Sequence, residues 1–153
     1  MFERFARSAR TAVEEARNEA ARRGDRRIGT EHLLLALLQD AEVARIVGSD
    51  AAAAHRAADE LDRKALAAIG LEIEGFQRGG PIALGRHALM TSGAKAVMGQ
   101  TLRYATAEKA RSITSRHMLL ALIDQSETDP AAALLTALSV DLTALRERLA
   151  DAA

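Results

Sequence analysis

The chain has 153 residues, of which 48% are hydrophobic and 27% are charged, a composition typical of one folded globular domain and unlike that of a disordered chain. Its 21 basic and 21 acidic side chains cancel, so the broad positive charge of a nucleic-acid-binding protein is absent. There is no cysteine, which excludes disulfides and cysteine-ligated metals. Neither a signal-peptide pattern nor a run of about 20 apolar residues for a membrane span occurs, so we expect a cytoplasmic protein with no membrane partner.

Strong helix formers dominate the chain, which contains one Tyr, three Phe and no Trp. Alanine and leucine favour helices, whereas aromatic and β-branched residues favour strands, so the composition predicts an all-α fold. In the first segment, apolar residues recur at spacings of three and four from Phe2 to Ala20, with charged residues such as Glu14 and Glu19 between them. This pattern predicts an amphipathic helix that ends near Gly24.

The second predicted helix follows Gly29 and runs to about Asp40. Thr30 is the predicted N-cap, because its hydroxyl can accept from the first free amides of the helix. Leucine fills every position from Leu33 to Leu38 except Ala36, so this helix is expected to be central. A short helix over 42–47, closed by Gly48, and a longer helix capped by Ser49 or Asp50 and running to Ile69 complete the first half.

The second half repeats this plan after a glycine-rich connection over 70–86. Its four helices are predicted from about Met90, from about Ser115, over 130–138 with proline in the first turn, and from an Asp141 N-cap. His32 and His117 are 85 positions apart, and the leucine-rich helix returns around His117 at the same offset. We therefore predict two four-helix repeats, 1–69 and 87–150, that pack as a pseudo-twofold pair in one domain.

The run Phe2-Glu3-Arg4-Phe5 and the motif Gly29-Thr30-Glu31-His32-Leu33-Leu34, with its altered copy around His117, resemble the twice-repeated N-terminal domain of the Clp family of ATP-driven unfoldases, especially the ClpC branch. The resemblance spans the whole chain. It implies an eight-helix domain without catalytic residues or cofactor that receives substrates and adaptors above an ATPase ring. No phosphate loop of the form G-x-x-x-x-G-K-[ST] occurs in the chain, so it contains no such ATPase.

Some ClpC proteins also bind phosphorylated arginine, through a Thr at the start of each first helix and a Glu at the start of each second helix. The resemblance assigns Glu31 to such a site in repeat one, but Ala6 stands at the Thr position. In repeat two, Thr91 is kept and Arg116 replaces the Glu. These departures argue against phosphoarginine recognition. Glu31 also has a simpler role, because a carboxylate in a first helical turn is stabilised by the helix dipole.

Arg116 opposes that dipole at its own helix start, which predicts either a salt bridge to a nearby acidic group, the alternative we favour, or an anionic partner. A second family surface, between the two first helices, binds adaptors and cyclic-peptide antibiotics. The resemblance maps it onto Phe2, Arg10, Val13, Met90, Lys95 and Met98. Methionine suits adaptable binding surfaces, but at helical spacing it is equally typical of a core.

His32 and His117 repeat, but neither has a His or carboxylate at the i, i+4 spacing of a helical zinc pair. We therefore predict no metal and no catalytic residue, and a structural hydrogen bond for each histidine at the seam between the repeats. Arg22, Arg23, Arg26 and Arg27 form a small basic cluster. Such a cluster is typical of a solvated loop, with an acidic partner as the alternative.

These observations favour a stand-alone protein-binding module of the Clp system, which could compete with the full unfoldase for substrates, adaptors or cyclic peptides. One alternative is the N-terminal part of a complete unfoldase. Another is a helical enzyme or small-molecule sensor with a pocket between the repeats, although no nucleophile and base occur at an informative spacing.

Overall fold

Helices account for most of the computed structural model, which describes residues 3–71 and 80–153. Eight helices lie in these residues: α1 Arg7–Arg22, α2 Thr30–Leu37, α3 Ala41–Val47, α4 Ala51–Ala68, α5 Ser92–Ala107, α6 Ser115–Ile123, α7 Pro130–Ala137 and α8 Leu142–Asp151. The all-α prediction is confirmed. None of these helices is both long and apolar enough to cross a bilayer.

Short polar side chains fix where several helices begin. Asp50 accepts from the Ala53 amide at 2.8 Å and Asp141 accepts from the Ala144 amide at 3.1 Å, so both predicted N-caps are confirmed. Gly48 closes α3 with a φ of 84°, a left-handed conformation that glycine adopts without strain.

The predicted N-cap of α2 is wrong by one residue. Gly29 is the N-cap, and Thr30 is the first helical residue. The Thr30 hydroxyl instead donates to Asp129 Oδ2 at 2.8 Å and accepts from the Ala131 amide at 3.2 Å, at the start of α7. Thr30 therefore links the two repeats, a long-range contact that a local capping pattern does not reveal.

The first helix also begins later than its apolar pattern predicts. α1 begins at Arg7, with Ala6 as an N-cap that makes no side-chain hydrogen bond. The preceding Phe5 is extended and forms an isolated parallel bridge with Ile113, and its side chain is buried. Phe5 therefore belongs to the contact between the repeats, and tertiary pairing overrides its helical spacing.

The two repeats exchange equivalent backbone contacts. The bridge between Phe5 and Ile113 has a counterpart between Ile28 and Met90, and an offset of 85 converts one bridge into the other. Four hydrogen bonds follow the same exchange: Ala6 N to Ile113 O and Ile113 N to Arg4 O, both 2.8 Å, and Thr91 N to Ile28 O and Ile28 N to Leu89 O, both 2.9 Å. This reciprocity is the signature of the predicted pseudo-twofold pair.

The core is centred on α2 and α6. Leu33, Leu34, Leu35 and Leu37 of α2 are at most 1% exposed, which confirms that this helix is central. α1 packs against α2, and α5 packs against α6 in the same way. α2 also contacts α5, α6 and α7 of the other repeat, so each central helix completes its burial across the pair.

The connection between the repeats is described only in part. α4 is followed by Gly70 with a φ of 83°, and residues 72–79 of the predicted linker lie outside the described residues. From residue 80 onward the chain runs along the body, since the Ile82 amide donates to Ala21 O at 2.9 Å and Leu84 packs against the core. The predicted repeat limits of 69 and 87 stay predictions.

Candidate functional site

A groove of about 870 Å³ runs between α1 and residues 86–90. One face of α1 forms its first wall, because Arg10, Val13, Glu14 and Arg17 follow the i, i+3, i+4, i+7 spacing that places helical side chains in one stripe. We call this the α1 groove. Its remaining lining residues are Ile28, Arg86, His87, Ala88 and Met90.

Backbone and side-chain hydrogen bonds position the two walls of the α1 groove. The Thr91 amide donates to Ile28 O, which ties residues 86–90 to the loop that precedes α2. Arg10 Nε donates to Phe5 O at 3.2 Å, which holds this side chain at the first turn of α1. The apolar lining residues Val13, Ile28 and Met90 are buried or half-buried and form what we call the floor, whereas the arginines, of which Arg10 and Arg86 are exposed, form the rim.

Of the six residues predicted for the surface between the two first helices, three line one groove. Arg10, Val13 and Met90 come together in the α1 groove. Lys95 is exposed on α5 but does not line it, and Phe2 lies outside the described residues. Met98 is only 8% exposed and belongs to the core, so it does not offer a binding surface.

Three arginines of the α1 groove carry no salt bridge within the described residues, namely Arg10, Arg17 and Arg86. Six other arginines of the same chain do form ion pairs: Arg22, Arg23, Arg45, Arg63, Arg116 and Arg146. Neither Arg17 nor Arg86 was among the residues predicted for this surface. The α1 spacing could have identified Arg17, whereas nothing in the sequence indicates that Arg86 lies opposite α1.

Glu31 turns back towards the start of its own helix. A Cβ added at Gly29 would lie 2.5 Å from Glu31 Oε2, so the carboxylate occupies the space that glycine leaves open. Glu31 also lines a cleft of about 370 Å³ whose walls include Leu61 of α4 and Pro130 of α7. The position suits the helix-dipole role, and ligand binding by Glu31 stays a prediction.

Arg116, the counterpart of Glu31, forms the salt bridge that we favoured. Its two terminal nitrogens donate to the two carboxylate oxygens of Glu108, each at 2.9 Å, and Nε donates to Leu149 O at 2.7 Å. The hydrogen bond from Arg116 lowers the pKa of Glu108 to about 2 against a smaller opposing effect of desolvation, and His117 assists. All three guanidinium nitrogens thus have an acceptor.

Both repeated histidines make structural hydrogen bonds at their helix starts, as predicted. His32 Nδ1 accepts from the Gly29 amide at 2.8 Å, and its Nε2 lies 2.8 Å from Asp25. His117 Nδ1 accepts from the Thr114 amide at 3.0 Å, and its Nε2 lies 2.9 Å from Glu108. These contacts lie within each repeat, so the predicted location at the seam between them is wrong.

Asp25, Glu31 and His32 bring three potential metal ligands within 4.8 Å of one another. The tautomer of His32 opposes that use. Because Nδ1 accepts the Gly29 N–H, the neutral ring carries its proton on Nε2, the nitrogen that faces Asp25. A metal ion could bind Nε2 only if that nitrogen lost its proton. The cluster therefore fits a helix-start hydrogen-bond network better than a metal centre.

A buried carboxylate, Glu19, was expected on the solvent face of α1 but is only 1% exposed. It accepts hydrogen bonds from Arg22, Gln39 and His55 at 2.7 to 2.8 Å. Burial alone would raise the pKa of Glu19, but the hydrogen bonds from His55 and Arg22 lower it to about 2. The hydrogen bond that His55 donates to Glu19 in turn raises the pKa of His55.

The contacts of Glu19 join three helices of repeat one, and we call them a junction. Repeat two has an equivalent junction that is formed by different side chains. An offset of 85 takes Glu19 to Tyr104 and Gln39 to Asp124, while the offset of 91 between the N-caps of α4 and α8 takes His55 to Arg146. Asp124 accepts from the Tyr104 hydroxyl and from Arg146. The carboxylate lies on the first helix in repeat one and at the end of the second helix in repeat two. The two sets of contacts join equivalent helices, namely the first, second and fourth of each repeat.

Two of the four clustered arginines are structural. Arg22 pairs with Glu19, and Arg23 bridges to Asp59 and Asp62 of α4 at 3.0 and 2.9 Å. Arg26 and Arg27 are exposed in the loop before α2. The cluster therefore divides into a link between α1 and α4 and a solvated loop.

Comparison with known proteins identifies the family. The model of the Clp repeat N-terminal domain matches residues 4–74 and 89–153. The chain is 31% identical over 155 residues to the negative regulator of genetic competence ClpC/MecB of Bacillus subtilis, with 97% of this chain covered but only 17% of that protein. The chain thus spans about a sixth of the length of this curated relative.

Solved structures share the fold at lower identity. The N-terminal domain of the chaperone ClpD from Arabidopsis thaliana superposes with a TM-score of 0.75 at 18% identity, covering 99% of both chains. The Hsp104 N-terminal domain from Candida albicans gives a TM-score of 0.58 at 14% identity, covering 98% of this chain and 91% of that one. The family model, which matches most of the chain, and the ClpC/MecB relative show that the chain belongs to the Clp repeat N-terminal domain family.

Proposed function

We propose that this chain is a non-catalytic protein- and peptide-binding module of the Clp chaperone and protease system. Its partners are Clp substrates, adaptors or cyclic-peptide antibiotics, and it competes with a full unfoldase for them. The observation that carries the proposal is the α1 groove, an apolar cleft on a family domain that brings together Arg10, Val13 and Met90. Grooves with an apolar floor and a few polar groups are common ligand sites.

The use of the titratable side chains supports a non-catalytic role. Glu19, Glu108, His32 and His117 are each engaged in hydrogen bonds that hold helices or helix starts in place. Catalytic groups instead face a cleft in which a substrate can reach them. A hydrolase screen tests the alternative that the chain is an enzyme that uses Glu31. That alternative requires turnover that Glu31→Ala abolishes.

Calorimetry tests the proposed binding directly. The ligands are an adaptor protein and a cyclic-peptide antibiotic that bind a ClpC N-domain under the same conditions. We expect binding that weakens at least fivefold in Val13→Gln, which places a polar group in the α1 groove, and is unchanged in Leu142→Gln, a matched change at an exposed apolar residue of α8. Failure of the wild type to bind ligands that the ClpC N-domain binds would refute the proposal.

The same domain can also serve as the substrate-recognition part of a longer unfoldase. The similarity of nearly the whole chain to a sixth of a much longer ClpC protein favours this second candidate. In that setting the α1 groove would deliver partners to an attached ATPase ring and would not compete with one. The coding sequence downstream of Ala153 separates the two, because continuation into a Walker motif would exclude a stand-alone protein.

A further inference from the structure

The α1 groove has a charge that differs from that of the whole chain. Among the described residues, three guanidinium groups and one carboxylate, Glu14, line it, which leaves two positive charges when His87 is neutral, whereas the chain has no net charge. Arg10 and Arg17 lie seven residues apart on α1, about 10 Å along the helix axis. Arg86 faces them from the other wall.

The guanidinium groups of the groove are not a simple product of the duplication. An offset of 85 takes Arg10 to Lys95, Glu14 to Gly99 and Arg17 to Leu102. The two helical stripes therefore carry the same net charge, but only the α1 stripe offers guanidinium groups. Within the described residues, Arg10, Arg17 and Arg86 form no salt bridge that would explain them.

Resting on the function proposed above, we infer that the α1 groove selects an acidic peptide segment of its protein partner, with carboxylates that pair with Arg10, Arg17 and Arg86 and apolar side chains that contact Val13 and Met90. In an extended peptide whose carboxylates alternate with apolar residues, successive carboxylates are about 7 Å apart and the next ones about 13 Å apart, which brackets the distance of about 10 Å between Arg10 and Arg17 along α1. Guanidinium groups bind carboxylates through paired hydrogen bonds.

A nucleic acid is the less suitable anion. Single-stranded nucleic acids are held by aromatic side chains on which bases stack, together with a positively charged groove. The floor here is formed by aliphatic groups and Met90, and no Phe, Tyr or Trp is among the described residues that line the groove. An apolar floor beside a positive rim matches a peptide in which acidic and apolar residues alternate.

Fluorescence anisotropy with three labelled octapeptides tests this inference. Each alternates leucine with one polar residue, which is glutamate, glutamine or lysine. We expect the glutamate peptide to bind about tenfold or more tightly than the glutamine peptide, the lysine peptide to bind most weakly, and the preference to shrink between 50 and 300 mM salt, as expected for about three exposed ion pairs.

Variants then locate the preference. The triple variant Arg10→Gln, Arg17→Gln, Arg86→Gln should lower the affinity for the glutamate peptide to that for the glutamine peptide and leave the latter unchanged. The control is Arg56→Gln, an exposed arginine of α4 outside the groove, which should change neither affinity. Circular dichroism of each variant should show unchanged helical content.

Four outcomes would overturn the inference. Equal binding of the glutamate and glutamine peptides would remove the acidic preference while leaving groove binding intact. Tight binding of the glutamate peptide by the triple variant would place the acidic site elsewhere. Displacement of the peptide by an equal concentration of single-stranded oligothymidine would identify a general anion site. Absence of binding by all three peptides would count against both peptide binding by the groove and its acidic preference.

Discussion

Single residues at equivalent positions of the two repeats show which interactions stabilise their helices. Ala6 and Thr91 are the N-caps of α1 and α5, with nearly the same backbone angles, φ −59° and ψ 158° against φ −65° and ψ 163°. Thr91 accepts from the Ala94 amide at 3.1 Å, whereas Ala6 offers no acceptor. Repeat one therefore lacks a cap that repeat two retains.

Restoring that cap should stabilise the domain. We expect Ala6→Thr to raise the free energy of unfolding by about 0.5 to 2 kcal/mol, because a threonine hydroxyl satisfies one free amide of the first turn. Thr91→Ala should lower it by a similar amount. Urea unfolding followed by circular dichroism measures both changes. A loss of stability in Ala6→Thr would mean that the inter-repeat contact beside Ala6 cannot accommodate a larger side chain.

The Glu19–His55 pair predicts a specific pH dependence. The pKa of Glu19 is lowered from 4.5 to about 2, so its contribution to stability is present above about pH 4.5 and is lost as the pH falls towards 2. The pKa of His55 is raised above 6.5, so its contribution is complete below pH 6.5 and is lost as the pH rises through the folded-state value. The pair is therefore most stabilising between about pH 4.5 and 6.5.

His55→Gln should reveal this window. We expect the difference in Tm between wild type and His55→Gln to be largest between about pH 4.5 and 6.5 and to shrink on either side. Differential scanning calorimetry from pH 3 to 9 measures it, with Arg56→Gln, the exposed neighbour on α4, as the control. A difference that is constant with pH would show that His55 acts through packing alone.

Local sequence patterns could not predict these residue-level features. Glu19 was assigned to the solvent face because a charge between apolar positions is usually exposed, but partners from α4 and from the end of α2 allow its burial. Met98 was predicted for a binding surface but is part of the core, because residues of both kinds recur at the same helical spacing. In both cases the decisive neighbours are distant in sequence, so periodicity alone carries no information about them.

Thr30 joins elements from different repeats, since its hydroxyl bridges α2 to the first turn of α7. Thr101 is equally buried, but its hydroxyl donates to Val97 O within α5. We expect Thr30→Val to destabilise the domain by about 0.5 to 1.5 kcal/mol, because it removes both hydrogen bonds of the hydroxyl, while the Ala131 amide and Asp129 keep their bond to each other. Thr101→Val should have a much smaller effect, because the Val97 carbonyl keeps its helical hydrogen bond.

Thermal or urea unfolding of the two threonine variants gives this comparison directly. Both substitutions preserve side-chain shape, so a difference between them reports the hydrogen bonds and not the packing. Equal losses of stability would mean that the link from α2 to α7 contributes no more than a local helical hydrogen bond.

Most element positions followed from the sequence, because caps and apolar spacing are local signals. The starts of α4, α6, α7 and α8 agree with the predictions, and the repeat at an offset of 85 predicted the second half from the first. The errors at Thr30 and Phe5 share one cause. Both residues make contacts between the repeats, and such contacts override local preference.

The whole molecule is a pair of repeats that complete each other's core. The sequence predicted this arrangement because α2 is apolar around most of its surface and one repeat offers too few helices to cover it. The α1 groove was predicted less fully. The family resemblance supplied Arg10, Val13 and Met90, and helical spacing could have added Arg17. Arg86, His87 and Ala88 instead belong to an irregular segment whose position depends on backbone hydrogen bonds to the other repeat.

Separation of the repeats provides the test at this scale. We expect a chain of residues 1–71 to show little helix by circular dichroism, because the leucines of α2 that are buried against α5, α6 and α7 would face water, at a cost of about 1.5 to 3 kcal/mol for each fully exposed side chain.

A chain of residues 80–153 should behave in the same way, and mixing the two should restore helix through the reciprocal bridges Phe5 to Ile113 and Ile28 to Met90. The intact chain, in contrast, should unfold in one cooperative transition with equal calorimetric and van't Hoff enthalpies. Cooperative unfolding of either half alone would contradict this interpretation. It would show that each repeat carries its own core, and the groove residues of α1 and of 86–90 would then be joined only after each repeat had folded.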